Sequence, residues 1–455
     1  MHDPVEQIAL RRSEKCALYQ HYVSPAAVYS ARVLGIDRDF VRGWGTALTD
    51  AEGNRYLDFD AGSGVFNIGR NHPKVRAALV ELLSREPANM VHRDTPLLAG
   101  LVAEALVRHT PPGVDRVLFT VTGSETTEAA LKCARRLTGR SRFLYLEGDY
   151  HGGTYGALSV TDAGFARHEM GPLLPGCDRV SCEDLGDLRR ELAKGDVAAL
   201  IIEPLQGLTV RTLSPAFLDG AQRLCRERGA LLIVDEVFTG FGRTGSFFAC
   251  EQLGIAPDLL VLSKAMGGGF IPIGALVLRT ELHARLFGAG GSFVHGSTFE
   301  HNDYGLITAL ATLQVIEDEG LVARSARLGD RLIAGLQTLA GRFDVIADVR
   351  GLGLLVGVEL RAPRALRLRL SGSLLEKRGF LGHLLMMRLL EKHHIIATAV
   401  SRNNLLRFTP PLTVTEEEIE TLLVALEQVL TDVYRFPDGF SRFFLGRLLG
   451  MVRHG

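Results

Sequence analysis

Between residues 97 and 280 the chain alternates two patterns, and that alternation constrains its fold more than any other feature. Stretches with helical periodicity (97–108, 125–138 and 214–228) are separated by short apolar runs at 117–121, 143–146, 197–202, 231–234, 259–262 and 273–278. Short aliphatic runs of this kind suit strands buried on both faces, and the helices between them supply the crossovers that parallel strands require. The order predicts an α/β fold, a mainly parallel central sheet wrapped by helices.

Outside that region the pattern differs. Residues 41–60 read as short strands around a turn at Glu52-Gly53-Asn54. Beyond about residue 320 come a long helical stretch, "VIADVRGLGLLVGVEL", "IIATAV" and "LLRFTPPL", which predict a smaller α+β domain. A chain of 455 residues is too long for one simple core. The expected division is an N-terminal segment, 1–65, contributing to the small domain, a large domain over 66–335, and a C-terminal small domain over 336–455 with an extra tail at 436–455.

In a parallel sheet, ligands gather at the carboxyl ends of the strands. Here those ends carry Gly123-Ser124, Asp149-Tyr150-His151, Glu203, Asp235-Glu236 and Ser263-Lys264. Lys264 closes an aliphatic run directly before three glycines, in a chain with seven lysines against 44 arginines. A lysine in that position either snorkels to solvent or has a function, and the polar groups at neighbouring strand ends favour the second. "VTGSETTEAALK" gives a glycine turn opening a helix, whose free amides suit a phosphate, although an ordinary N-cap reads the same way. It is not a Walker A loop, since Gly-Lys occurs nowhere in the chain. Asp235 suits either a structural cap or a buried cation such as a protonated ring nitrogen. A lysine for a Schiff base, a carboxylate for a pyridinium nitrogen and a helix terminus for a phosphate are the parts of a pyridoxal 5'-phosphate site.

From about Val41 to Leu412 the chain resembles the class III aminotransferases, through "GSETTEAALK", "YHGG", "IIEPLQG", "DEVFTGFGRTG", "SKAMGGG", "HGSTFEHN" and "LRFTPPL". The resemblance implies a fold type I transferase that uses pyridoxal phosphate in a ping-pong exchange. The amino group would pass from an amine or amino-acid donor to a keto acid or aldehyde. It implies Lys264 as the Schiff-base lysine and proton carrier, Asp235 at the pyridine nitrogen, and Tyr150 on the ring face, these three forming the catalytic set. Gly123 and Ser124 would bind the phosphate, with His151, Glu203 and Phe238 also at the cofactor. Thr298 would reach the cofactor of the other subunit in a homodimer. Arg407 would pair with a substrate carboxylate, with Phe66, Gly153 and Leu208 beside it. The same cofactor also serves lyases, decarboxylases and epimerases of this fold, which is the nearest alternative.

Three departures bear on substrate. Family members acting on acetylornithine, ornithine or 4-aminobutyrate often carry an arginine where this chain has Gly153. They often carry a glutamate where it has Leu208, and a glutamine where it has Phe238. Those three donors are therefore not expected. "GLGLLVG" at 351–357 prompts a nicotinamide reading, but it lies late in the chain and is imperfect.

Composition excludes little more. A net charge of −1 gives no general attraction to nucleic acid. Six cysteines without CxxC spacing read as reduced cytoplasmic thiols, and no metal site is expected. No secretory pattern opens the chain and no apolar stretch approaches about 18 residues. The expected location is the cytoplasm. Two segments, 361–380 and 436–455, look additional to the family length. The tail either packs as a terminal helix or forms a basic amphipathic surface for a membrane, an acyl carrier or a lipid chain.

Overall fold

The computed structural model describes residues 3–91, 94–288, 294–362, 380–400 and 404–434. The tail 436–455, with the surface contact expected of it, and nearly all of 361–380 lie outside the described residues.

Near the N-terminus, β1 (Phe40–Trp44), β2 (Ala47–Asp50) and β3 (Arg55–Asp58) form an antiparallel ribbon. The tight turn between β2 and β3 is held by Asp50, which accepts from the Asn54 amide at 2.8 Å. The central sheet follows, built from β4 (Val114–Thr120), β5 (Arg142–Leu146), β6 (Cys177–Val180), β7 (Val197–Ile202), β8 (Leu231–Asp235), β9 (Leu259–Leu262) and β10 (Gly274–Arg279). Its order is β4-β10-β9-β8-β7-β5-β6. All neighbours from β9 to β6 run parallel, whereas β10 is antiparallel to both of its partners. Every residue of β7 and β9 is buried, as strands covered on both faces must be.

The covering helices are set by local signals. Helix Gly123–Thr138 starts where the Thr122 hydroxyl accepts from the Glu125 amide at 3.2 Å, and it stops at Gly139, whose φ is +69°. Glu125 in its first turn and Arg135 and Arg136 in its last complement the helix dipole. Helix Pro215–Arg228 is built likewise, with Ser214 as cap, proline at its first position and Gly229 just beyond its end.

A separate antiparallel sheet is formed by β11 (Ile346–Leu352), β12 (Leu355–Leu360), β14 (Thr398–Val400) and β15 (Leu405–Phe408), in the order β11-β12-β15-β14. The remaining strand, β13 (Ile395–Ile396), pairs in parallel with β3. The N-terminal ribbon is thereby joined to the C-terminal part of the chain. "GLGLLVG" is the bend of the β11–β12 hairpin, with Gly353 at φ +52°, and not the strand–turn–helix that a dinucleotide site needs.

Among the described residues no helix is long and apolar enough to cross a membrane.

Candidate active site

The parallel strands deliver their carboxyl ends to one edge of the central sheet, and β4, two antiparallel steps from β9, ends at the same edge. A cavity of about 340 Å³ opens there. Of the residues singled out in the sequence, Gly123, Ser124, Tyr150, His151, Glu203, Leu208, Asp235, Phe238, Lys264 and Arg407 line it. Three do not. Gly153 is exposed, and its amide donates to the Ser124 hydroxyl at 3.1 Å. Thr298 sits exposed on a turn, away from this cavity. Phe66 packs behind the lysine turn, where a methyl group on Gly269 would come within 2.3 Å of its ring.

Lys264 begins the short 3-10 turn Lys264–Gly267 with φ +45°, an uncommon conformation for a residue with a side chain. The next glycines relieve the crowding. Gly268 and Gly269 have φ +61° and +80°, and a methyl group on Gly268 would sit 2.5 Å from the Thr312 hydroxyl. The Lys264 ammonium lies 3.8 Å from the centroid of the Phe238 ring. Burial, with the charge of Arg407 second, lowers its pKa to about 8.

Opposite the lysine lies a buried carboxylate–imidazole chain. Asp235, at the end of β8, contacts His151 Nδ1 at 2.7 Å, and Asp149 lies 3.5 Å from Nε2. Burial alone would lower the His151 pKa, but the two carboxylates outweigh it and hold the ring protonated up to about 10. Asp149 is anchored by the Gln206 side-chain amide at 2.8 Å, which also donates to the Glu147 carbonyl at 2.8 Å. Glu203 accepts from the amides of Tyr150 at 2.8 Å and Gly207 at 3.0 Å. Its pKa is raised to about 8, first by burial and then by Asp149.

Arg407 is buried on β15. It donates through Nη1 to the Gly207 carbonyl at 2.6 Å, and its guanidinium carbon lies 4.8 Å from the Phe238 ring. Both cations therefore lie against one aromatic ring. Asp60 stands 3.9 Å from Arg407. Sequence reasoning assigned no role to Asp60, Asp149, Gln206 or Ser63. Asp149 stands at a strand end beside Tyr150 and His151, where position alone gives it no role. Asp60 and Ser63 come from the N-terminal segment, and nothing local brings them to β15.

The residues present fit pyridoxal phosphate. The first amides of a helix have no intrahelical acceptor, and Gly123 and Ser124 present theirs on the cavity wall. A side chain at Gly123 would close on Val237 at 3.0 Å, so glycine keeps that wall open. His151 Nε2 is buried without a hydrogen-bond partner of good geometry, within a set of acids and bases suited to holding a cationic ring.

Comparison with known proteins identifies the family. A family model described as Aminotransferase class-III matches residues 28–430. A putrescine aminotransferase from Pectobacterium atrosepticum is 34% identical over 440 residues, covering 93% of this chain and 90% of that one. The aminotransferase PigE from a Serratia strain is 33% identical over 472 residues, covering 96% of this chain but 55% of PigE. This chain therefore spans about half the length of that relative. An (S)-enantioselective omega-transaminase from Thermomicrobium roseum, known from its crystal structure, is 28% identical with a TM-score of 0.81, over 95% of this chain and 99% of that one. The chain belongs to the class III aminotransferase family and is a pyridoxal-phosphate-dependent transaminase of fold type I.

Proposed function

We propose that this transaminase takes its amino group from a primary amine with an apolar body and delivers it to a keto acid whose carboxylate docks on Arg407. The observation that carries this reading is the wall beside Arg407. Leu208 and Phe238 line it, where side chains able to bind a second charged end would be needed for ornithine, acetylornithine or 4-aminobutyrate. The relationship to a putrescine aminotransferase supports an amine donor.

In this reading Lys264 Nζ would hold the cofactor, Gly123 and Ser124 would take its phosphate, and Tyr150 and Asp235 would serve its ring. When bound, pyridoxal phosphate supplies an electron sink beside the carbon that loses its proton and stores the amino group between the two half-reactions. The chain's own residues do the rest. A lysine with a pKa of about 8 keeps a working fraction of neutral amine at neutral pH, so Nζ can accept and return a proton. His151, held cationic by two carboxylates, fixes Asp235 in orientation. Phe238 holds the lysine and the arginine by their positive charge. Thr298, exposed on its turn, is placed by this reading against the cofactor of a second subunit, so that the working unit is a homodimer.

A half-reaction panel tests the assignment. Primary amines should convert the holoenzyme cofactor to its amino form in one turnover, faster than ornithine, acetylornithine and 4-aminobutyrate. Faster conversion by any of those three would overturn the donor class. Release of carbon dioxide or of a racemised donor in place of a carbonyl product would point to the decarboxylase or epimerase alternative.

A further inference from the structure

Arg407 has lost nearly all its water, and its counter-charge is unusual. It is 4% exposed, and Nε finds no acceptor. Among the described residues the carboxylate recorded in ion-pair range is Asp60, 3.9 Å from Nη2. Asp60 is itself tied down, since one oxygen accepts from the Ser63 amide at 2.9 Å and the other from the Thr398 hydroxyl. Those two anchors hold the carboxylate short of hydrogen-bond contact with the guanidinium. At that distance Asp60 offsets the buried charge without forming the paired N–H···O bonds that an arginine prefers.

We infer that Asp60 is the resident counter-charge of Arg407 and sets how strongly this site selects substrates that carry a carboxylate. The inference rests on the reading of Arg407 as the carboxylate site. An entering carboxylate competes with Asp60 for one guanidinium, and it also meets the like charge of Asp60 itself. Both effects weaken carboxylate binding relative to a site without Asp60. They leave an amine donor with an uncharged tail indifferent to the pair, which matches the apolar wall at Leu208. The control comes from the N-terminal segment and β14, on elements separate from the strand ends that hold the cofactor residues.

Calorimetric titration of the holoenzyme with benzoate, an unreactive carboxylate, tests this. Asp60→Asn keeps an acceptor for the Ser63 amide, turns its NH2 as donor toward the Thr398 hydroxyl oxygen and removes the charge, and should tighten benzoate binding about tenfold, or about 1.4 kcal/mol. Thr398→Val acts oppositely. It frees one Asp60 oxygen to close on Arg407 and should weaken benzoate binding severalfold, which gives a second reading if Asp60→Asn does not fold. In an Arg407→Met background the effect of Asp60→Asn should vanish. Unchanged or weaker binding in Asp60→Asn, with Arg407→Met still weakened, overturns the role of Asp60 and leaves that of Arg407 standing. Undiminished binding in Arg407→Met overturns both.

Discussion

Replacing His151 with glutamine should destabilise the enzyme by an amount that depends on pH. The imidazole is buried between Asp235 at 2.7 Å and Asp149 at 3.5 Å, and its pKa rises from 6.5 to about 10. A histidine whose folded pKa lies above its unfolded value contributes stability in full below the unfolded pKa and loses it as pH rises through the folded one. For a rise from about 6.5 to about 10 the contribution is about 4 kcal/mol at pH 7, about 1.4 kcal/mol at pH 9 and close to zero by pH 10.5. Glutamine forfeits that contribution at every pH. The figure of about 4 kcal/mol is an upper bound, because Asp149, already raised by burial, can take up a proton once the imidazolium is gone. Urea unfolding followed by circular dichroism between pH 6 and pH 10.5 measures the gap between the two proteins. The gap should be widest at the acid end and close on the alkaline side. A gap that stays constant with pH would show that His151 contributes packing and not charge, and would refute the account of the Asp149–His151–Asp235 chain.

Two further outcomes are expected. In cofactor-free enzyme the reaction of Lys264 with an amine-directed reagent should reach half its maximal rate near pH 8, and Arg407→Met should move that midpoint upward, because the guanidinium is one of the charges that lower it; peptide mapping of the modified lysine at each pH checks both. Gly269→Ala should cost at least about 2 kcal/mol of stability, read from urea unfolding as a lower midpoint, since the new methyl group meets the Phe66 ring at 2.3 Å in a backbone with φ +80°.

Much of the central sheet was legible because its strands are buried on both faces, so that aliphatic runs such as "VAALII" and "LLVL" mark them without help from context. The edge strand β6 was not. Its sequence "CDRV" buries one residue in four and carries two charges, which no apolar pattern distinguishes from a loop. Residues at the strand ends were legible for a related reason, since the direction of a parallel sheet tells which end collects the ligand. Lys264, Asp235, Glu203 and Gly123 were found that way. Phe66 shows where such reading stops. It was assigned beside the substrate, whereas it packs against Gly269 behind the lysine turn, a contact between residues about 200 positions apart in sequence. Asp60 is hidden for the same reason. Its partners Thr398 and Arg407 arrive only when the C-terminal strands fold back beside the N-terminal segment. The glycines of "SKAMGGG" read as a turn free of bulk, and the structure supplies the cause in the close approach of Thr312 and Phe66.

The proposed function depends most directly on Lys264 as the covalent anchor of the cofactor. Borohydride reduction of the holoenzyme, followed by digestion and mass spectrometry, fixes the cofactor to whichever lysine holds it. With seven lysines in the chain the outcome is unambiguous. The account predicts one pyridoxyl label per chain, on the peptide containing "LLVLSKAMGGGF", and none in Lys264→Ala. A label on any other lysine, or a label that persists in Lys264→Ala at the same level, would contradict it.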